Sequence, residues 1–374
     1  MSDFPITQEV DYLNSASIGL VPSSVIERTK EFSVELTRGG TLTLDEEKEV
    51  LVYDGLREEG SKLLSCEAED IAIFNSVSEA MNSIAWSLEL GEGKVVSTDI
   101  EFPSVTYPWL RMARKESINV KLVNAENWRI SIDDLLNEID EETRVVVLSH
   151  VEYLTGQKFD IKKIAKQAHE VGAILVIDGI QAAGYLPLDV REMGADVYIT
   201  GSYKWLIAPF GAAIAYISKK LCDRLEPVLV GWRSTEDMWN FNARELEFAA
   251  TARKFEYSTS AYDVKLGLAE SMKYLRKIGI ENIYGHNMEL IRILNEELGS
   301  IEGIEIITPE NRGSMITFKV KDKDSKDVAK KLHKLKRPVE LSIRLNMIRI
   351  SPHLYNTEAD ILHFVDNLGQ ILKL

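Results

Sequence analysis

From residue 71 to residue 217 the chain alternates short β-rich apolar runs with stretches whose apolar residues recur at helical spacing. That alternation restricts the fold more than any other feature, because strands joined in turn by helices lie parallel in one sheet. The runs at 71–74 (IAIF), 94–97, 119–123, 144–148 (RVVVL), 173–177 (AILVI), 197–200 and 212–217 read as strands. RVVVL and AILVI are almost wholly apolar, as strands buried on both faces of a parallel sheet are. Met81, Ile84, Ala85 and Leu88 mark one intervening helix. Asp160 caps another, with Ile161, Ile164, Ala165, Ala168 and Val171 on one face and Gly172 at its end. The expected fold is α/β, a mostly parallel sheet flanked by helices, in a large domain at 13–249. Past residue 250 the texture changes to two long amphipathic helices (261–278 and 280–298). Short strands at 305–307, 315–320 and 347–350 follow, around a Lys-rich helix at 325–335. This predicts a smaller α+β C-terminal domain formed by residues 1–12 and 250–374.

A net charge of −15 argues against nucleic-acid or anionic-membrane partners, which need a basic face. Cys66 and Cys222 are the only cysteines, too few for a disulfide framework, and no Cys/His cluster suggests a metal site. No basic stretch followed by an apolar run opens the chain, and the apolar runs are strand-length. No signal peptide and no membrane span are therefore expected, and the expected compartment is the cytoplasm.

Three features fall where a parallel sheet places its chemistry, at the carboxyl ends of strands. Asp178 ends AILVI and is followed by Gln181 (DGIQ). Lys204 lies just beyond the strand at 197–200, within TGSYKW. Ser76, Val77 and Ser78 open a helix directly after IAIF. Taken singly, each has an ordinary reading: a surface lysine, a turn-forming aspartate, a Ser76/Glu79 capping box. Together they describe a site for an aldehyde cofactor. An amine near the apolar Trp205, Leu206 and Ile207 has its pKa lowered and can form a Schiff base. A carboxylate keeps a pyridine nitrogen protonated, and a helix N-terminus holds a phosphate.

These stretches carry a family resemblance. Residues 150–211, from HVEYLTGQ through DGIQAAGY to TGSYKWLIAPFG, resemble the cofactor-binding core of the class V aminotransferases, fold-type I pyridoxal-phosphate enzymes. Residues 12–19 (YLNSASIG), 101–109 (EFPSVTYPW), 255–259 (FEYST) and 348–357 (IRISPHLYNT) resemble further motifs of that family in order. The resemblance implies pyridoxal phosphate as cofactor and Lys204 as its covalent anchor and later proton carrier. It implies Asp178 at the pyridine nitrogen, Gln181 at the phenolic oxygen and Phe102 over the ring. Ser76, Val77, Ser78, Ser202 and Tyr203 would hold the phosphate, joined by Thr259 from a neighbouring subunit of a homodimer. Arg349, with Asn14 and Tyr153, would bind the substrate amino acid.

Phe102 and Tyr203 stand where cysteine desulfurases carry histidine, and Tyr153 where they carry asparagine. This is closer to epimerase-like and kynureninase-like members, although kynureninases carry histidine where Gln181 stands. The loop before Arg349 (VELSIRLNMIR) lacks the desulfurase cysteine, which disfavours a persulfide route, and Arg344 is a second possible carboxylate contact. The leading expectation is transamination between a small amino acid and a 2-oxo acid. The alternative is a lyase or hydrolase, by C–S β-elimination or kynureninase-type cleavage, or an epimerase. A nucleotide-binding dehydrogenase would need a GxGxxG or Walker turn, and neither occurs. A non-catalytic scaffold is opposed by the joint presence of Lys204, Asp178 and Arg349.

Overall fold

The structure is a computed structural model that describes residues 3–115 and 117–373. Met1, Ser2 and Leu374, assigned by sequence to the smaller domain, and Glu116, assigned to the larger, lie outside the described residues. The strands are β1 (Asp11–Tyr12), β2 (Ile71–Phe74), β3 (Gly93–Thr98), β4 (Ile118–Val123), β5 (Thr143–Ser149), β6 (Ile174–Asp178), β7 (Val197–Gly201), β8 (Ala213–Ile217), β9 (Ile304–Ile306), β10 (Ile316–Val320), β11 (Val339–Glu340), β12 (Ser342–Arg344) and β13 (Met347–Ile350). The helices are α1 (Ser23–Gly39), α2 (Glu46–Leu64), α3 (Val77–Ser87), α4 (Pro103–Met112), α5 (Ile132–Asn137), α6 (Ile161–Glu170), α7 (Lys219–Cys222), α8 (Tyr262–Ile278), α9 (Ile280–Gly299), α10 (Ser325–His333) and α11 (Glu358–Lys373).

Seven strands form the central sheet in the order β2-β8-β7-β6-β5-β3-β4. It is parallel except for β8, which runs against both β2 and β7. The reason lies in the connection. A parallel return needs a crossover, usually a helix, whereas residues 202–212 form a loop that turns straight back. That loop carries Lys204, so the reversal holds the lysine at the sheet's edge. β5, β6, β7 and β8 are buried almost throughout, as their apolar runs predict. Asp160 caps α6 by accepting from Lys163 N, and Gly172 leaves it at φ +78°.

The pattern reading makes no assignment between residues 20 and 70, where α1 and α2 form. Only Val25 and Phe32 of α1 are buried, so its apolar stripe is too thin to stand out. A second, antiparallel sheet, β12-β13-β10-β9, packs on α9 and α11 around Leu290, Phe318, Ile348 and Phe364. Residues 11–19 stitch the two sheets together. β1 pairs with β11, Asn14 bridges Ser351, and Gly19 N donates to Tyr203 O at 2.8 Å. No helix among the described residues is long and apolar enough to cross a membrane.

Candidate active site

The register of the central sheet brings the chosen strand ends to one edge. Ala213 pairs with both Phe74 and Gly201, and Asp178 pairs with both Ile199 and Ser149. The Ser76 turn, Asp178 and Lys204 therefore emerge side by side. Two glycines allow the close packing this needs. A Cβ on Gly19 would stand 1.9 Å from Lys204 O, and one on Gly179 would stand 2.1 Å from the Tyr198 ring.

Lys204 is 9% exposed, and Trp205, Leu206 and Ile207 beside it are fully buried. Its amine lies 5.8 Å from the Phe102 ring centre and 6.0 Å from that of Tyr203. Burial pushes the amine down to about 7; Asp178 opposes this, while the Arg349 and Arg344 guanidinium groups add to it. Burial likewise lifts Asp178 to about 6, against the Ile180 N–H it accepts at 2.9 Å and the Lys204 charge. A buried amine that is neutral in good part at neutral pH is a nucleophile and a base.

Gln181 is clamped at both ends of its amide. Trp205 Nε1 donates to its Oε1 at 2.7 Å, and its Nε2 donates to Ala16 O at 3.1 Å, leaving one N–H available. Phe102 keeps 44% of its surface exposed and meets the Tyr153 ring edge-on at 5.3 Å, so the two aromatics wall an open slot above Lys204. Arg349 is 1% exposed on β13. It donates to Tyr153 O and, at 2.9 Å, to Ser17 Oγ, and its Nε has no partner. No carboxylate pairs with it among the described residues, and burial pushes it down to about 10. Glu152 acts on it at a distance without pairing with it, so the buried guanidinium keeps an unspent donor for an incoming anion. Arg344 shares a face with Arg349, since Ser342 pairs with Arg349 and Arg344 with Met347 on one hairpin. Asn14 is turned away, its Nδ2 donating to Glu340 Oε1 at 3.1 Å, while its buried Oδ1 has no partner.

At the other end of the site, the Ser76 hydroxyl accepts from Glu79 N at 3.1 Å, which confirms the capping reading. The amides of Val77 and Ser78 are first-turn donors with no partner inside α3. The Ser78 and Ser104 hydroxyls are 2.6 Å apart, and Ser202 Oγ donates to Pro209 O at 2.5 Å. Tyr203 stacks on Phe210 at 4.6 Å. Thr259 is exposed and lines a small hollow with Asn75, Glu79 and Lys265 of its own chain.

Four contributors escape the sequence reading. Ser17 lies inside the YLNSASIG motif, three residues from the expected Asn14. Trp205 enters as an apolar neighbour, yet its N–H orients Gln181. Glu101 and Glu152 are buried carboxyl groups directly beside the expected Phe102 and Tyr153. Glu101 accepts from Ser149 N at 2.7 Å and is pushed up by burial to about 8. Glu152 accepts from Leu154 N and Thr155 N at 2.8 and 2.6 Å and is pushed up to about 7. Each locks the turn that presents Phe102 or Tyr153. An acidic residue embedded in apolar sequence at a strand's end is the signal that could have found them.

A seven-stranded sheet with a buried lysine, aspartate and helix N-terminus at one edge defines an enzyme of the fold-type I architecture. The family model for class-V aminotransferases matches residues 11–364, and the chain belongs to that family. A probable cysteine desulfurase of Methanothermobacter thermautotrophicus is 29% identical over 99% of this chain and 96% of its own. An uncharacterized aminotransferase of Bacillus subtilis is 28% identical over 98% and 95%. Among solved structures, a complex of the cystine C–S lyase C-DES with cysteine persulfide superposes with a TM-score of 0.89 at 23% identity, covering 98% and 99% of the two chains. That last likeness concerns the fold.

The comparisons correct the leading expectation of transamination. The desulfurase name recurs among further relatives, and the aminotransferase among them is uncharacterized. The missing loop cysteine removes one sulfur acceptor and says nothing of whether a C–S bond is cut. Pyridoxal phosphate itself fits the residues present. An open aromatic slot over a buried amine suits the ring, unspent α3 amides suit the phosphate, and the orphan Arg349 Nε suits an amino acid's carboxylate.

Proposed function

We propose that this chain is a pyridoxal-phosphate-dependent C–S lyase, which eliminates sulfur from a cysteine-type amino acid and releases it without a protein thiol. The observation that carries the reading is a buried amine and an unpaired buried guanidinium at one sheet edge, in a chain whose two thiols lie elsewhere. Cys66 precedes β2, and Cys222 follows β8, whose last residues pair with the first residues of β2 and β7. Both thiols are thus at the opposite edge, a strand's length of roughly 15 Å away. The relatives named as desulfurases support the C–S bond as the target.

The cofactor, when bound, supplies an aldehyde for the substrate's amine and a ring that spreads the electrons left at the α-carbon. Arg349 binds the α-carboxylate and Tyr153, whose carbonyl it holds, borders the same end, while the Asn14 amide is committed to Glu340. Lys204 takes the α-proton at Nζ, and the Phe102 ring stands beside it. Asp178 would hold the pyridine nitrogen and Gln181, aimed by Trp205, the phenolic oxygen. L-Cysteine plus water gives pyruvate, ammonia and hydrogen sulfide, and L-cystine plus water gives pyruvate, ammonia and cysteine persulfide. The exposed Thr259 serves a second copy, so the working unit is a homodimer, and two free thiols suit the cytoplasm.

Incubation with L-cystine or L-cysteine tests the reading. Pyruvate released without any 2-oxo acid acceptor is the expected result; stoichiometric conversion of the cofactor to its pyridoxamine form would overturn it. The Lys204 environment gives a second expectation. Only the neutral amine captures an aldehyde, so the rate at which apoprotein takes up pyridoxal phosphate should rise with pH through about 7 and then level off. Stopped-flow absorbance measures this. A rate still climbing steeply toward pH 10 would mean that burial does not lower the amine.

A further inference from the structure

Lys265 is fully buried near the start of α8, and a lysine is almost never buried without an ion partner. It forms no ion pair among the described residues. Its Nζ donates to Asn75 Oδ1 at 2.8 Å and to Gly211 O at 2.9 Å. Those two acceptors belong to the two loops that meet at the phosphate end of the site. Asn75 directly precedes Ser76, Val77 and Ser78. Gly211 lies in the loop that closes on Ser202, whose N–H donates to Ala212 O and whose hydroxyl donates to Pro209 O. Three carboxylates lie near it and none pairs with it: Glu79 accepts from Asn75 N and Tyr257, Glu256 from Arg57 and Ile73 N, and Asp263 stands two residues earlier on the same helix. The other residues expected at the phosphate, Ser76, Val77, Ser78, Ser202, Tyr203 and Thr259, carry no positive charge, so the charge of a phosphate dianion is otherwise met only by the dipole of α3.

We propose that Lys265 is the cationic positioning residue of the phosphate cradle, joining its two loops and supplying the positive charge that selects a phosphorylated cofactor. The inference rests on the cofactor reading above. A buried amine in a low-dielectric wall acts on a nearby anion with little screening, where a surface lysine would be screened. It also accounts for a phosphate end at which Tyr203 stands in place of a histidine.

The test compares pyridoxal 5′-phosphate with pyridoxal, because both react with Lys204 and only one carries the dianion. Dissociation constants are measured by absorbance titration of the full-length apoprotein, wild type, Lys265→Gln and Lys265→Met. Gln keeps donors for Asn75 and Gly211 and removes the charge. The preference for the phosphorylated form over pyridoxal should fall by about tenfold or more in Lys265→Gln, the effect of one unit charge at moderate dielectric. Pyridoxal binding should change little. Should Lys265→Met fail to fold by circular dichroism, Lys265→Gln alone decides. A Lys265→Gln protein that keeps the wild-type preference, or weakens both ligands equally, overturns the proposal and leaves Lys265 a packing residue. A wild type that binds neither compound overturns the cofactor reading itself.

Discussion

Lys204→Ala should lose turnover by at least about 10³-fold, because in the proposed reaction one group serves as both covalent anchor and proton carrier. The same variant should yield no adduct on borohydride reduction. The fold should survive, since the loop's main chain is held by Gly19 N on Tyr203 O and Ile207 N on Lys204 O, neither of which involves the side chain. Steady-state pyruvate release, absorbance after reduction and a denaturant titration read the three quantities separately. A Lys204→Ala enzyme with wild-type turnover would place the chemistry at another residue.

Arg349→Ala should raise KM for an α-amino acid by roughly 100-fold, the order expected when one side of a buried charged pair is removed. Stability should change little. In the free protein Arg349 is buried and paired with no carboxylate, so the desolvation cost its removal relieves offsets the lost Glu152 attraction, the Tyr153 and Ser17 contacts and the empty space left behind. Arg349→Lys should not restore binding, because an ammonium offers a point charge where the carboxylate meets a planar fork. Steady-state kinetics beside thermal melting separates this from a structural role. A large fall in melting temperature with KM unchanged would show that the guanidinium serves the fold alone.

The parts of this molecule legible in sequence are those that periodicity or strand chemistry reports. Ile71–Phe74 and Met347–Ile350 form strands with the expected limits, since each is an apolar run bounded by polar residues. The placement of Lys204, Asp178 and the Ser76 turn at one edge followed from parallel topology alone. The antiparallel turn of β8 was not legible, because strand direction depends on what the loop at 202–212 does in space. Helices α1 and α2 lacked a clear apolar stripe to announce them.

Within the site the limits are similar. Arg349 and Lys204 lie far apart in sequence, and only their motifs linked them. Glu101 and Glu152 were hidden because burial of a carboxyl group is a tertiary fact. Asn14 illustrates the converse. It stands in the right motif, yet its amide donates to Glu340, and the neighbouring Ser17 makes the contact to Arg349.

The sharpest test of sulfur release without a protein thiol is the Cys66→Ala/Cys222→Ala double variant, assayed on L-cystine for pyruvate and for sulfur left in solution. Both thiols lie at the far edge of the sheet, so pyruvate and soluble persulfide should form in equal amounts at the wild-type rate. Loss of turnover with the thiols, or accumulation of the pyridoxamine form without pyruvate, would contradict the account.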